Sequence, residues 1–156
     1  MSFVARLRPE LIAIAPPWRT FRETVEGLIG QLARAGAIAD DGVASAVKAV
    51  VAREAEASTA VLEIGVGVPH ARLVGMTSPA VALAVSSRGL YEPVPTVWID
   101  IVALVLSPPN AGDAHLRILA GVATLLRSPE LRSALLRATE PAAALAALTQ
   151  HARSAP

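Results

Sequence analysis

The sequence contains no cysteine. Disulfides, thiol nucleophiles and thiolate metal sites are therefore excluded, and the chain suits a reducing compartment. Aromatic residues are scarce, at 3% of the 156 positions, too few for a platform that stacks the bases of a single strand. Neither sign of charge dominates: 14 basic against 13 acidic residues leave a net charge of +1. All the basic residues except Lys48 are arginine, and they are spread along the chain. No basic stripe forms, so nucleic acid is not an expected partner. Long hydrophobic runs are also missing. A spanning helix takes about 20 consecutive apolar residues, and the longest runs here, residues 101–106 and 142–148, fall far short. The first six residues lack a basic stretch leading into a long apolar one. The expectation is no signal peptide, no direct membrane insertion and a cytoplasmic protein.

What is present is apolar: 53% of residues are hydrophobic and 17% charged. That composition excludes an intrinsically disordered chain, and the length suits one domain, expected over residues 1–156. No internal repeat or linker interrupts it. Residues 11–15 form a short apolar run stopped by Pro16-Pro17, read as a strand. Thr20 and Glu23 have capping-box spacing, Val25, Leu28, Ile29 and Leu32 recur at helical spacing, and Gly36 stands where a C-terminal cap belongs. A second helix is expected from a cap at Asp40 or Asp41, through Val43, Val47, Val50 and Val51, to Arg53 and Glu54. Three apolar runs, residues 60–68, 80–86 and 97–106, read as strands; the first is interrupted by Gly65 and Gly67, and the two continuous ones suit burial on both faces. Helical spacing returns over residues 111–126, Ser128-Pro129 opens a short helix to Arg137, and an alanine-rich helix over residues 141–149 ends the chain with a frayed terminus. The order predicts an α/β fold, a single domain with a mixed β-sheet flanked by helices on both faces.

Three histidines are candidates for chemistry. His151 lies beyond the last apolar helical position and reads as a surface residue. His70 follows Gly65-Val66-Gly67-Val68-Pro69. Pro69 fixes its own φ and drives Val68 toward extended backbone, which gives a rigid lead into the imidazole. His115 falls in the first turn of a helix, two residues after Asp113, itself suited to that helix's positive end. Taken alone, each of these two histidines reads first as a hydrogen-bonded structural residue, with a functional role as the alternative. Arg53 reads equally as a favourable charge at a helix C-terminus. A zinc site from His70, His115 and Asp113 is a further arrangement, but no supporting ligand or base accompanies it, and no metal is expected.

Together the motifs are more specific. Arg53-Glu54, Ser58-Thr59 and the string from Gly65 to Pro69-His70-Ala71-Arg72 resemble the type 2 EIIA domain of the phosphoenolpyruvate:sugar phosphotransferase system. This is the fructose/mannitol and nitrogen-regulatory, PtsN-like family. The second half is similar to it as well: an apolar strand ending in Ser107-Pro108, then Asp113-Ala114-His115-Leu116, then Ser128-Pro129-Glu130-Leu131. The likeness runs from about residue 5 to 149. It departs from the family at residues 90–96, where two prolines replace an acidic-glycine turn, and at Thr59-Ala60, where a glycine usually follows Ser-Thr; Glu63 then brings a negative charge near the site. The resemblance implies a phosphocarrier and phosphohistidine phosphotransferase. His70 would take a phosphoryl group from HPr, or from its nitrogen-branch relative, and pass it to an EIIB partner. The phosphoryl group would be carried covalently on His70 with no other cofactor, His115 would donate a hydrogen bond to it, and Arg53 would bind it, with Arg72 ranked below. The alternative is a regulatory module whose binding to protein targets is switched by phosphorylation of His70.

Overall fold

The computed structural model describes residues 2–154; residues 1, 155 and 156, at the outer ends of the expected domain, lie outside the described residues. The two most apolar runs form the middle of the sheet. Strands β4 (Ala80–Val85) and β7 (Ile101–Ser107) are buried at every position, which is why they read as unbroken hydrophobic runs and not as alternating ones. They pair antiparallel, from Ala80↔Leu106 to Val85↔Ile101. Strand β1 (Ile12–Ile14) adds in parallel to β4. On the other side of β7 lie two short parallel segments, β2 (Val66–Gly67) and β3 (His70–Arg72). The sheet is therefore mixed, as expected.

Helices cover both faces. Helix α2 (Phe21–Arg34) packs on β4 and on α3 (Val43–Glu56), which packs on β3. Helix α4 (Gly112–Leu125) packs on β7, and α6 (Pro141–Ser154) on β1; a short N-terminal helix, α1 (Phe3–Arg6), touches both α4 and α6. Helix α5 (Pro129–Arg137) packs against α6. Local chemistry explains the helix ends. Thr20 Oγ1 accepts from the Glu23 amide, Ser128 Oγ accepts from the Leu131 amide, and Gly36 takes φ +76° after α2, a conformation open to glycine.

Several expectations need correction. Neither Asp40 nor Asp41 caps α3 with its side chain: residues Asp40–Gly42 form a 3₁₀ turn, and Gly42 takes the cap position. The run over residues 60–68 is not one strand. Gly65 has φ +67°, the chain turns back so that the Val61 amide reaches the Val66 carbonyl, and only Val66–Gly67 joins the sheet. The run over residues 97–106 is two strands. It breaks at Asp100, whose amide binds the Gly65 carbonyl and whose carbonyl takes the Ser86 amide. The first part, β6 (Val97–Ile99), pairs with β5 (Tyr91–Val94) as a separate hairpin. The residues 90–96 that depart from the family pattern are thus mostly this hairpin, with Thr96 at φ +68° in its turn. Finally, the last helix does not fray at Thr149 but continues through a half-buried His151 to Ser154.

Candidate functional site

His70 is the first residue of β3, at the free edge of the sheet. Strands β2 and β3 are one edge strand interrupted at Val68-Pro69, and proline suits that place because an edge position has no ladder donor to lose. The Pro69 carbonyl still accepts the Val105 amide, so the interruption stays tied to β7. A hydrogen-bonded chain fixes the turn from behind. The Glu54 carboxylate, on α3, accepts from the Ser58 hydroxyl at 3.1 Å, the Thr59 amide at 2.8 Å and the Thr59 hydroxyl at 2.8 Å. Thr59 Oγ1 in turn accepts from the Val68 amide at 3.2 Å. The Val68 carbonyl then lies 2.9 Å from His70 Nδ1. A carbonyl oxygen only accepts, so Nδ1 carries the proton in this bond, and the neutral ring keeps its lone pair on Nε2.

His115 stands across from it on α4. The two imidazole rings are 5.4 Å apart between centroids, with their planes at 61°. His115 is 4% exposed, and its Nδ1 is 2.7 Å from the hydroxyl of Ser107, the last residue of β7. Burial holds its pKa below the usual histidine value, reinforced by the neighbouring His70 ring and by the charges of Arg72 and Arg53. The two histidines face an open cleft of about 480 Å³ at the sheet edge, where β3 runs between α3 and α4. Arg53 and Glu56 of α3, Arg72 of β3 and Leu116 of α4 line it. Arg53 donates to the Ala57 carbonyl at 3.2 Å. The Arg72 guanidinium lies against Gly112 at the start of α4, with two nitrogens 3.8 Å from where a side chain there would begin. A larger depression of about 840 Å³, near Gly36 and Met76, has only Asp40 and Asp41 as ionisable lining and offers no comparable chemistry.

The cleft therefore combines a ring nitrogen with a free lone pair, a second imidazole held toward its neutral form, and two arginines. Such a set can attract an anion and attack it at one defined atom. Residues 6–151 match the family model described as phosphoenolpyruvate-dependent sugar phosphotransferase system, EIIA 2. The chain belongs to this EIIA family.

Similar proteins agree with the assignment. Over 130 residues the chain is 32% identical to a fructose-specific EIIA component of Haloferax volcanii, covering 83% of this chain and 82% of that protein. It is 31% identical over 105 residues to a fructose-specific EIIABC component of Bacillus subtilis, covering 67% of this chain but only 16% of that longer protein. In fold, this EIIA chain is similar to the nitrogen regulatory protein IIA-Ntr of Neisseria meningitidis, with TM-score 0.76, 23% identity and coverage of 93% and 97% of the two chains. It is also similar to the mannitol IIA of Escherichia coli in its complex with phosphorylated IIB, with TM-score 0.72, 19% identity and coverage of 92% and 97%.

Against that family, the structure brings His70, His115 and Arg53 into one cleft, and adds Arg72 to them. His151 lies elsewhere, on α6. Glu63 is exposed in the turn before Gly65 and does not line the cleft, nor does any residue of the β5–β6 hairpin. Among the described residues no group of three or more His, Asp or Glu side chains is arranged to hold a metal ion. No helix among them is long and apolar enough to cross a membrane. Two supports were not legible in the sequence. In the sequence Ser107 reads as the end of a strand before a proline, and Glu54 as the end of a helix within the Arg53-Glu54 motif. A buried hydroxyl within reach of a histidine eight residues later is visible only once β7 and α4 are packed together.

Proposed function

We propose that this EIIA domain is a phosphocarrier in which His70 accepts a phosphoryl group from the phosphohistidine of HPr, or of its nitrogen-branch relative, and passes it to an EIIB partner. The observation that carries this reading is the Nδ1–Val68 bond, which commits the lone pair of His70 to Nε2 inside an arginine-lined cleft. Nε2 attacks phosphorus, the nitrogen–phosphorus bond of the donor breaks, and its electron pair returns to the donor imidazole. The proton on Nδ1 stays in its bond to Val68, which keeps the phosphorylated ring a good leaving group for the next transfer. The transition state is loose and its charge lies on the equatorial oxygens, so the protein acts by positioning and by electrostatics. His115 donates a hydrogen bond to one phosphoryl oxygen, and Arg53 and Arg72 offset the negative charge. No other cofactor takes part; the phosphoryl group is held covalently. The acceptor side is supported by the Escherichia coli relative, whose structure is a complex with phosphorylated IIB.

Intact-mass spectrometry after incubation with phosphoenolpyruvate, enzyme I and HPr tests this directly. The expected result is one acid-labile phosphoryl addition in wild type and none in His70→Ala. An addition that persists in His70→Ala overturns the assignment of the residue. No addition from either the sugar-branch or the nitrogen-branch carrier overturns the phosphocarrier reading itself.

A further inference from the structure

Ser107 is fully buried, and its backbone is held by the edge strand. It pairs with Arg72 in the β3–β7 ladder, and its carbonyl accepts the Leu73 amide at 2.8 Å. Its hydroxyl meets Nδ1 of His115 at 2.7 Å, a short distance for this kind of bond. A serine hydroxyl has one proton to give and two lone pairs to accept with, so the contact alone permits two arrangements. In one, His115 donates from Nδ1 and presents a lone pair on Nε2. In the other, Ser107 donates, Nδ1 accepts, and Nε2 carries the proton.

Proton accounting separates them. Among the described residues the Ser107 hydroxyl has no other hydrogen-bond partner. Were it to accept from His115, its own proton would be buried with nothing to receive it, and an unsatisfied buried donor is costly. Donation to Nδ1 leaves no such orphan. We infer that Ser107 is a positioning residue that donates to His115 and so sets it in the Nε2–H form, the opposite of the form that the Val68 carbonyl imposes on His70.

The two partners differ in kind, and that difference creates the asymmetry of the cleft. A carbonyl, which only accepts, makes His70 the ring with the lone pair. A hydroxyl with no other acceptor makes His115 the ring with the outward N–H. Two like histidines become one nucleophile and one donor through the group behind each. The inference rests on the phosphocarrier reading for its use of that donor, and on the hydrogen bond alone for the proton's place.

Nitrogen-15 NMR of the imidazoles, above the pH range in which they take a second proton, reads the two forms directly. The expected wild-type result is a protonated Nε2 and an unprotonated, hydrogen-bonded Nδ1 in His115, with the reverse in His70. In Ser107→Ala the His115 nitrogens should move toward averaged values while those of His70 stay in place. The maximal rate of phosphoryl transfer should fall at least about tenfold, a fraction of the ~10²-fold cost of losing a whole transition-state donor. The donor concentration for half-maximal rate should not change, because docking is untouched. Ser107→Thr keeps the hydroxyl and should restore both the nitrogen pattern and the rate. A wild-type His115 protonated on Nδ1 overturns the proposal, as does a Ser107→Ala protein that transfers at the wild-type rate. The nitrogen spectrum needs no phosphoryl donor, so a chain that is never phosphorylated would defeat the phosphocarrier reading and still leave the role of Ser107 decided.

Discussion

His115 is both a buried side chain and a base, and the two properties conflict. An unfolded histidine takes its proton near pH 6.5, whereas burial and the adjacent His70, Arg72 and Arg53 push the folded His115 below that value. As the pH falls through 6.5, the unfolded chain therefore binds a proton that the folded one resists. The stability present above pH 6.5 is lost progressively as the pH drops toward the depressed folded value. Denaturant midpoints measured between about pH 7.5 and about pH 5 should show this decline, and His115→Gln, which cannot protonate, should show less of it. An equal decline in both proteins would place the acid sensitivity elsewhere. The same residue shows what a sequence conceals. Its spacing after Pro108-Pro109 put it in the first turn of a helix, as the structure has it. Its burial, its serine partner and the two arginines around it belong to contacts between β7, α4, β3 and α3, and no local pattern encodes them.

At the scale of elements, the C-terminal end of α3 and the edge strand work as one unit. Glu54 is the common acceptor for Ser58 and Thr59, and Thr59 holds the Val68 amide that no strand partner serves. Removing the carboxylate should loosen the turn before it loosens the sheet. In Glu54→Ala, exchange of the Val68 amide should speed up about tenfold, equivalent to about 1.4 kcal/mol, while the amides of β4 and β7 keep their protection. Uniform acceleration across the sheet would instead mean that Glu54 supports the whole fold. Helices were the legible part of this architecture, because Val25, Leu28, Ile29 and Leu32 declare a buried face by period alone and Thr20 and Ser128 declare their starts. Strand breaks were not legible. Nothing in the apolar stretch around Asp100 signals that its two halves join different sheets. That division is set by Gly65 and Ser86, which are distant in sequence and bind the Asp100 backbone from two sides. Strand β3, three residues long, is too short to show any period, although it carries His70.

For the molecule as a whole, β7 is the reference for both halves of the cleft. His70 is in register with Val105, and the Ser107 that holds His115 lies two residues further along the same strand. The strand is bound on one side by β4 and on the other by β2 and β3, and it is buried throughout. The distance between the two histidines is therefore a property of the folded core and not of a mobile loop, and it should survive until the core itself melts. Leu104 tests the point because it is fully buried in β7 and lines no part of the cleft. Leu104→Ala should cost about 2–5 kcal/mol through lost burial and the cavity left behind. At about 2–4 °C per kcal/mol for a chain of this size, Tm should fall by roughly 4–20 °C. Well below that melting point, phosphoryl transfer per folded molecule should match wild type, since a cooperative core is either present with its cleft or absent with it. A variant that instead lost transfer in proportion to its lost stability, while still folded, would show that the His70–His115 spacing flexes with the packing beneath it.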